Sequence, residues 1–225
     1  MRQGIESAFH PLEVLPSSAM MNMCGGHYAT AEIVAESLMR APDDFRLVRG
    51  HYHLSMRSLV KRPLSIVVLR DPVSRVVSNL KHNVQHNGMT AADVIVALEK
   101  GETLEVPLNQ MTRYLGGRVS GATPHEIGSR HDDLLYGPIR NEKERLRSAV
   151  GALETIDLLG ITEDMKPLSS ALAKLGIRIP EERSNVSDVE LDLSEAHLQT
   201  IRELNKLDVE LYESAKKLLA RRACV

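Results

Sequence analysis

Tryptophan is absent from the 225-residue chain, and aromatic residues make up only 3% of it. The core must therefore be aliphatic, and a base-stacking platform for nucleic acid is not indicated. Cysteine is equally scarce. Cys24 and Cys224 stand far apart and without metal-ligand spacing, which rules out a disulfide framework and suits a reducing compartment. An excess of either charge is missing too: 28 Lys and Arg face 30 Asp and Glu, so any polyanion site must be local rather than a general basic surface. No apolar run is long enough to span a bilayer, and residues 1–20 lack the order of charge, apolar segment and cleavage site of a secretory signal. These absences lead us to expect a cytoplasmic protein with no transmembrane segment and no nucleic-acid partner. The length suits a single domain, 1–225, able to bury most of its apolar surface.

Helices alternating with short apolar strands are what the chain does contain, without internal repeats. Residues 29–40 read as a helix, and residues 45–48, FRLV, as a short strand leading to Arg49-Gly50-His51. PLSIVVL, 63–69, is the strongest strand, continuous and β-branched, as expected of a strand buried on both faces. Asp71 then stands at an N-cap position and Pro72 at the first helical one. In the following helix Val73, Val76, Val77, Leu80 and Val84 form one stripe, while Ser74, Ser78, Lys81 and Gln85 lie away from it. Thr90 caps a helix ending at Lys100, and a further helix is expected over 107–115. Residues 117–138, rich in Gly, His and Asp, read as a loop. A helix from about 140, a strand near IDLLGI at 156–161 and a helix to Leu175 follow. Residues 180–193 read as a connection, after which Ser194 caps one long terminal helix with a stripe of Leu198, Ile201, Leu204, Leu207 and Leu211. The alternation implies a parallel α/β sheet flanked by helices.

Ligands of such sheets bind beyond the carboxyl ends of the strands, where Arg70 stands. Its guanidinium would face a ligand beside the amino end of the next helix, an arrangement that suits a phosphate. Ser78, two turns into that helix, can donate another hydrogen bond. The competing reading pairs Arg70 with Asp71 or another nearby carboxylate.

LRDPVSRVVS at 69–78 resembles the 3'-phosphate-binding segment of sulfotransferases that use 3'-phosphoadenosine 5'-phosphosulfate (PAPS), in particular the carbohydrate and heparan-type 2-O-sulfotransferase branch. The segments GHYH at 50–53, NQMTRYLGG at 109–117, IDLLGITE at 156–163 and LNKLDVELYE at 204–213 are similar to the same branch, in the same order. The resemblance implies a P-loop-NTPase-like fold, a 3'-phosphate held by Arg70 and Ser78, PAPS as donor, and a hydroxyl-bearing, glycan-like acceptor. It also points to His51 as general base, since a neutral histidine can take the acceptor proton. Some members carry H-G-H where this chain has R-G-H, so His53 remains the alternative base. Arg113 could face the acceptor or cofactor, or make an exposed salt bridge.

No metal is expected. His82 and His86 lack a third ligand and read as a solvated face, and Cys24 and His27 are treated likewise. The family's P-K-T-A-G-T-S-like loop, whose lysine and amides hold the 5'-phosphosulfate, has no counterpart in the sequence, nor is a G-x-x-x-x-G-K-[ST] loop present. C-G-G at 24–26 is too short to replace it, and residues 2–9 resemble the helix that normally follows it, so the first strand is expected to be missing. Two functions are therefore expected in competition: a sulfotransferase recorded without its amino terminus, or a non-catalytic module binding adenosine 3',5'-bisphosphate or another phosphorylated ligand.

Overall fold

The computed structural model describes residues 5, 8–17, 29–104, 106–178 and 189–223. Cys24, His27, the C-G-G segment, Cys224, most of residues 2–9 and most of the 180–193 connection lie outside them. The described residues form a mixed α/β structure with two small parallel sheets rather than one. In the first, β1 (Val14–Leu15), which the sequence does not announce, pairs with β2 (Leu47–Val48). In the second, β3 (Ile66–Leu69) pairs with β4 (Leu158–Ile161). The helices are α1 (Ala31–Arg40), α2 (Pro72–His86), α3 (Ala91–Glu99), α4 (Gln110–Leu115), α5 (Pro124–Tyr136), α6 (Glu142–Glu154), α7 (Lys166–Lys174), α8 (Glu195–Leu204) and α9 (Lys206–Ala223). Among the described residues no helix is long and apolar enough to cross a membrane.

The β3–β4 pair is pinned at both ends by carboxylates. At the amino end Asp157 accepts hydrogen bonds from the Ser65 N–H at 2.8 Å and the Ser65 hydroxyl at 2.6 Å. At the carboxyl end Glu163 accepts the Asp71 N–H at 3.0 Å. Between these anchors the side chains of β3 alternate. Val67 and Leu69 join a core built from α4, α6 and α9, while Ile66 and Val68 pack with Leu168 and Leu172 of α7, and with Ile5 and Phe9. Both faces are thus covered, although only Leu69 of the four is fully buried. The fit of α7 is close enough that a Cβ at Gly160 would fall 2.6 Å from Leu168 Cδ2.

Capping residues set the start of α2 as expected. Asp71 accepts the Ser74 N–H at 2.7 Å, and Pro72 opens the helix without needing an N–H partner. Val76 and Leu80 are fully buried, with Val73, Val77 and Val84 beside them.

Two expectations are corrected. Residues 117–138 are not a continuous loop, because Thr123 caps α5 by accepting the Glu126 N–H and Pro124 opens it. Its buried Ile127, His131 and Leu135 form an inward stripe that the polar composition conceals. Nor does one long helix follow Ser194: the chain breaks at Asn205 into α8 and α9. The break exists because Asn205 and Asp208 are buried and spend their side chains on other segments.

Candidate functional site

Arg70 stands immediately beyond β3, exposed at the carboxyl end of the parallel pair. Among the described residues its guanidinium has neither a hydrogen bond nor an ion pair. The pairing with Asp71 that local reasoning suggests does not form, because Asp71 is occupied as the cap of α2. Ser78 lies half-buried on α2, and its hydroxyl likewise has no partner among the described residues. Among the described residues, a cation without a partner therefore stands at the amino end of α2, where the helix dipole favours negative charge, and a hydroxyl without a partner lies two turns into the helix.

Arg75, one turn before Ser78, has a different task. It is largely buried and donates to Gln110 Oε1 at 2.8 Å, to the Pro107 carbonyl at 3.1 Å and to Asn205 Oδ1 at 3.2 Å. Its guanidinium also lies 3.8 Å from the fully buried carboxylate of Asp208. Asp208 in turn accepts the Met111 and Thr112 amides at 3.0 and 2.7 Å, closing the amino end of α4 from another helix. Burial pushes the Asp208 carboxyl above its ordinary range, against the pull of those amides and of Arg75. Asn109 completes the lock in a left-handed conformation, φ 51°, accepting from the Leu207 and Asp208 amides and donating to the Leu204 carbonyl.

His51 is exposed in the segment after β2, with its ring centroid 6.0 Å from that of Tyr114. The Tyr114 hydroxyl accepts from Gln110 Nε2 at 3.4 Å, and Gln110 is held by Arg75. A row of contacts therefore runs from His51 through Tyr114 and Gln110 to Arg75, which shares one side of α2 with Ser78. The structure thus joins the segment of His51 to the helix that carries Ser78.

His53, the alternative base, is excluded by its surroundings. It is 1% exposed, and its Nε2 lies 2.9 Å from the Gly116 carbonyl while Nδ1 accepts the Ser55 N–H at 3.1 Å. That pattern places the proton on Nε2, leaving no ring nitrogen for an acceptor. Burial above all lowers its pKa from 6.5 to about 4, so it is neutral near pH 7. Among the described residues Arg113 makes no salt bridge; it donates to the carbonyls of Leu108 at 2.9 Å and Gly137 at 2.6 Å. His82 and His86 are exposed on α2 with ring centroids 4.7 Å apart, and among the described residues no group of three metal-ligating side chains occurs.

Glu163 and Tyr212 received no role from the sequence. Glu163 Oε1 accepts from the Asp71 N–H at 3.0 Å and the Thr162 hydroxyl at 3.0 Å, and Oε2 accepts from the Tyr212 hydroxyl at 2.7 Å. Burial works to raise the Glu163 pKa, but these donors outweigh it and hold the carboxyl below its ordinary range. Tyr212 is pushed up by burial and by the Glu163 charge, so its hydroxyl stays a proton donor. A polar side chain on the inward stripe of a helix is the sequence signal for such a residue, and Asp208 and Asn205 carry it most clearly.

A cleft of about 360 Å³ lies elsewhere, near the amino ends of β3 and β4, lined in part by His53, Arg57, Pro63, Arg118 and Thr155. His53 is spent as described, and Arg57 donates to Ser65 and Thr155. Arg118 makes no hydrogen bond or ion pair among the described residues, so the cleft keeps one uncommitted cation, as the carboxyl end of β3 does. Compared with protein-family models, with curated proteins and with solved structures, the chain gives no match.

Proposed function

We propose that the chain is a sulfotransferase on a P-loop-like α/β scaffold, acting in a reducing cytoplasmic compartment, that moves a sulfuryl group from PAPS to a hydroxyl of a carbohydrate-like acceptor. The observation that carries this reading is the Arg70 guanidinium at the carboxyl end of β3, which has no hydrogen bond or ion pair among the described residues, with two nearby carboxylates both committed elsewhere. An exposed arginine is a ready donor fork for two phosphate oxygens. Ser78 supplies a third donor from the polar side of α2. This donor set fits the 3'-phosphate of the nucleotide, while the phosphosulfate, when bound, supplies an activated sulfuryl group whose bond to phosphate oxygen breaks as the bond to the acceptor oxygen forms. His51, exposed and with Tyr114 beside its ring, is the residue to which this reading assigns the acceptor proton.

Retention of the five similar segments as one connected polar frame supports the reading. His53 reaches Gly116, Arg75 reaches Gln110 and Asn205, and Glu163 joins Asp71 to Tyr212. A second reading, a binding module that holds adenosine 3',5'-bisphosphate without transferring sulfate, rests on the same Arg70 and Ser78 donors. Incubation with PAPS carrying labelled sulfate and a panel of polyhydroxyl glycans separates the two. Labelled acceptor, lost in His51→Ala while nucleotide binding persists, supports the transferase. Nucleotide binding without any labelled acceptor supports the module.

A further inference from the structure

Arg70 has two carboxylates close along the chain or across the sheet end, and both are held away from it. Asp71 is retained by the Ser74 amide. Glu163 is retained by three donors, of which the Tyr212 hydroxyl at 2.7 Å is the shortest and the only one that reaches Oε2. Tyr212 comes from α9, far along the chain, and its side chain is buried against the core. The Asp71 N–H that Glu163 accepts belongs to the peptide bond joining Arg70 to Asp71, so this contact brings the Glu163 carboxylate beside the Arg70 backbone. A carboxylate released one residue from an unpaired guanidinium would be drawn to it and would compete with an incoming anion.

We propose that Tyr212 is a positioning residue for the anion site: its hydroxyl fastens Glu163 to the Arg70–Asp71 peptide and so keeps that carboxylate from neutralising Arg70. The clamp rests on the phosphate reading above for its purpose but not for its existence. In the free protein an Arg70–Glu163 pair would act as an internal competitor, weakening phosphate binding by the fraction of molecules that adopt it. Tyr212→Phe keeps the ring and its packing and removes only the hydroxyl. Adding Glu163→Gln removes the charge that would compete and leaves an acceptor for the Asp71 N–H.

The test uses the full chain in two measurements. In ¹⁵N-labelled protein without nucleotide, the Arg70 Nε–Hε signal, assigned by its loss in Arg70→Ala, shifts in Tyr212→Phe and returns in Glu163→Gln/Tyr212→Phe. By titration calorimetry with adenosine 3',5'-bisphosphate, Tyr212→Phe raises Kd by about 3- to 10-fold and the double variant recovers, with melting temperatures close to that of the parent. An unmoved Arg70 signal in Tyr212→Phe overturns the clamp, as does a shift that persists in the double variant. If the parent chain does not bind the nucleotide, the phosphate reading fails, and the Arg70 signal still decides whether the clamp exists.

Discussion

The imidazole Nε2 of His53 and the carbonyl oxygen of Gly116 lie 2.9 Å apart, in a contact that ties the segment after β2 to the end of α4. Because His53 is also the N-cap of the 3-10 turn Leu54–Leu59, a single buried ring fixes both strands of chain behind the exposed His51.

Protonation of that ring breaks one of its contacts, so stability should depend on pH. The folded state takes the proton near pH 4 and the unfolded state near 6.5, and the unfolded chain therefore binds more protons between those values. The contribution is complete above about pH 6.5 and is lost as pH falls toward 4, with a size of about 3 kcal/mol. Urea unfolding of the parent and of His53→Gln across this range should show their difference shrinking by that amount. A difference that stays constant with pH contradicts the assignment.

Removing the buried carboxylate of Asp208 leaves Arg75 and two α4 amides without it. Asp208→Ala should cost about 3 to 5 kcal/mol of stability, and Asp208→Asn less, since the amide retains one acceptor. The midpoints of denaturant unfolding measure both. An Asp208→Asn variant as stable as the parent would show that the charge has no part in the lock.

Asn205 separates helix propensity from tertiary demand. Asn205→Ala improves the local propensity for a continuous α8–α9 helix, yet it removes the acceptor of the Asn109 amide and of Arg75. A net loss of about 1 to 3 kcal/mol is expected. Stabilisation would mean that the break is an accident of local sequence.

The same residue shows where the sequence is legible and where it is not. At the β3–α2 junction every signal is local: a β-branched run, an Asp cap, a Pro at the first helical position and a valine stripe agree, and strand, cap and helix fall where those residues place them. At Asn205 the controlling contacts come from Asn109 and Arg75, which no local window contains. Residues 124–136 are helical for a reason the sequence does carry, the Thr123-Pro124 cap, but their Gly, His and Asp content argues for a loop. Strand β1 has only two residues and exists through its pairing with β2. Of the site, Arg70, Ser78 and His51 are readable as residue types in a known order. The Glu163 and Tyr212 contacts beside Arg70 become visible only when β4 and α9 are packed beside the β3 end.

Ser78 should matter for binding and not for folding. Alanine favours the helix slightly more than serine, so Ser78→Ala should melt at or just above the parent temperature. Loss of one hydrogen bond to a charged oxygen should weaken the nucleotide by roughly 10-fold. Unchanged affinity in calorimetric titration removes Ser78 from the grip.

The most direct test of the account is a calorimetric titration of adenosine 3',5'-bisphosphate into the parent chain, Arg70→Ala and His51→Ala. The account predicts binding by the parent, a Kd raised by about 10- to 100-fold in Arg70→Ala, and little change in His51→Ala. Equal losses in the two variants, or a parent chain that does not bind, would contradict the assignment of Arg70 as the phosphate grip.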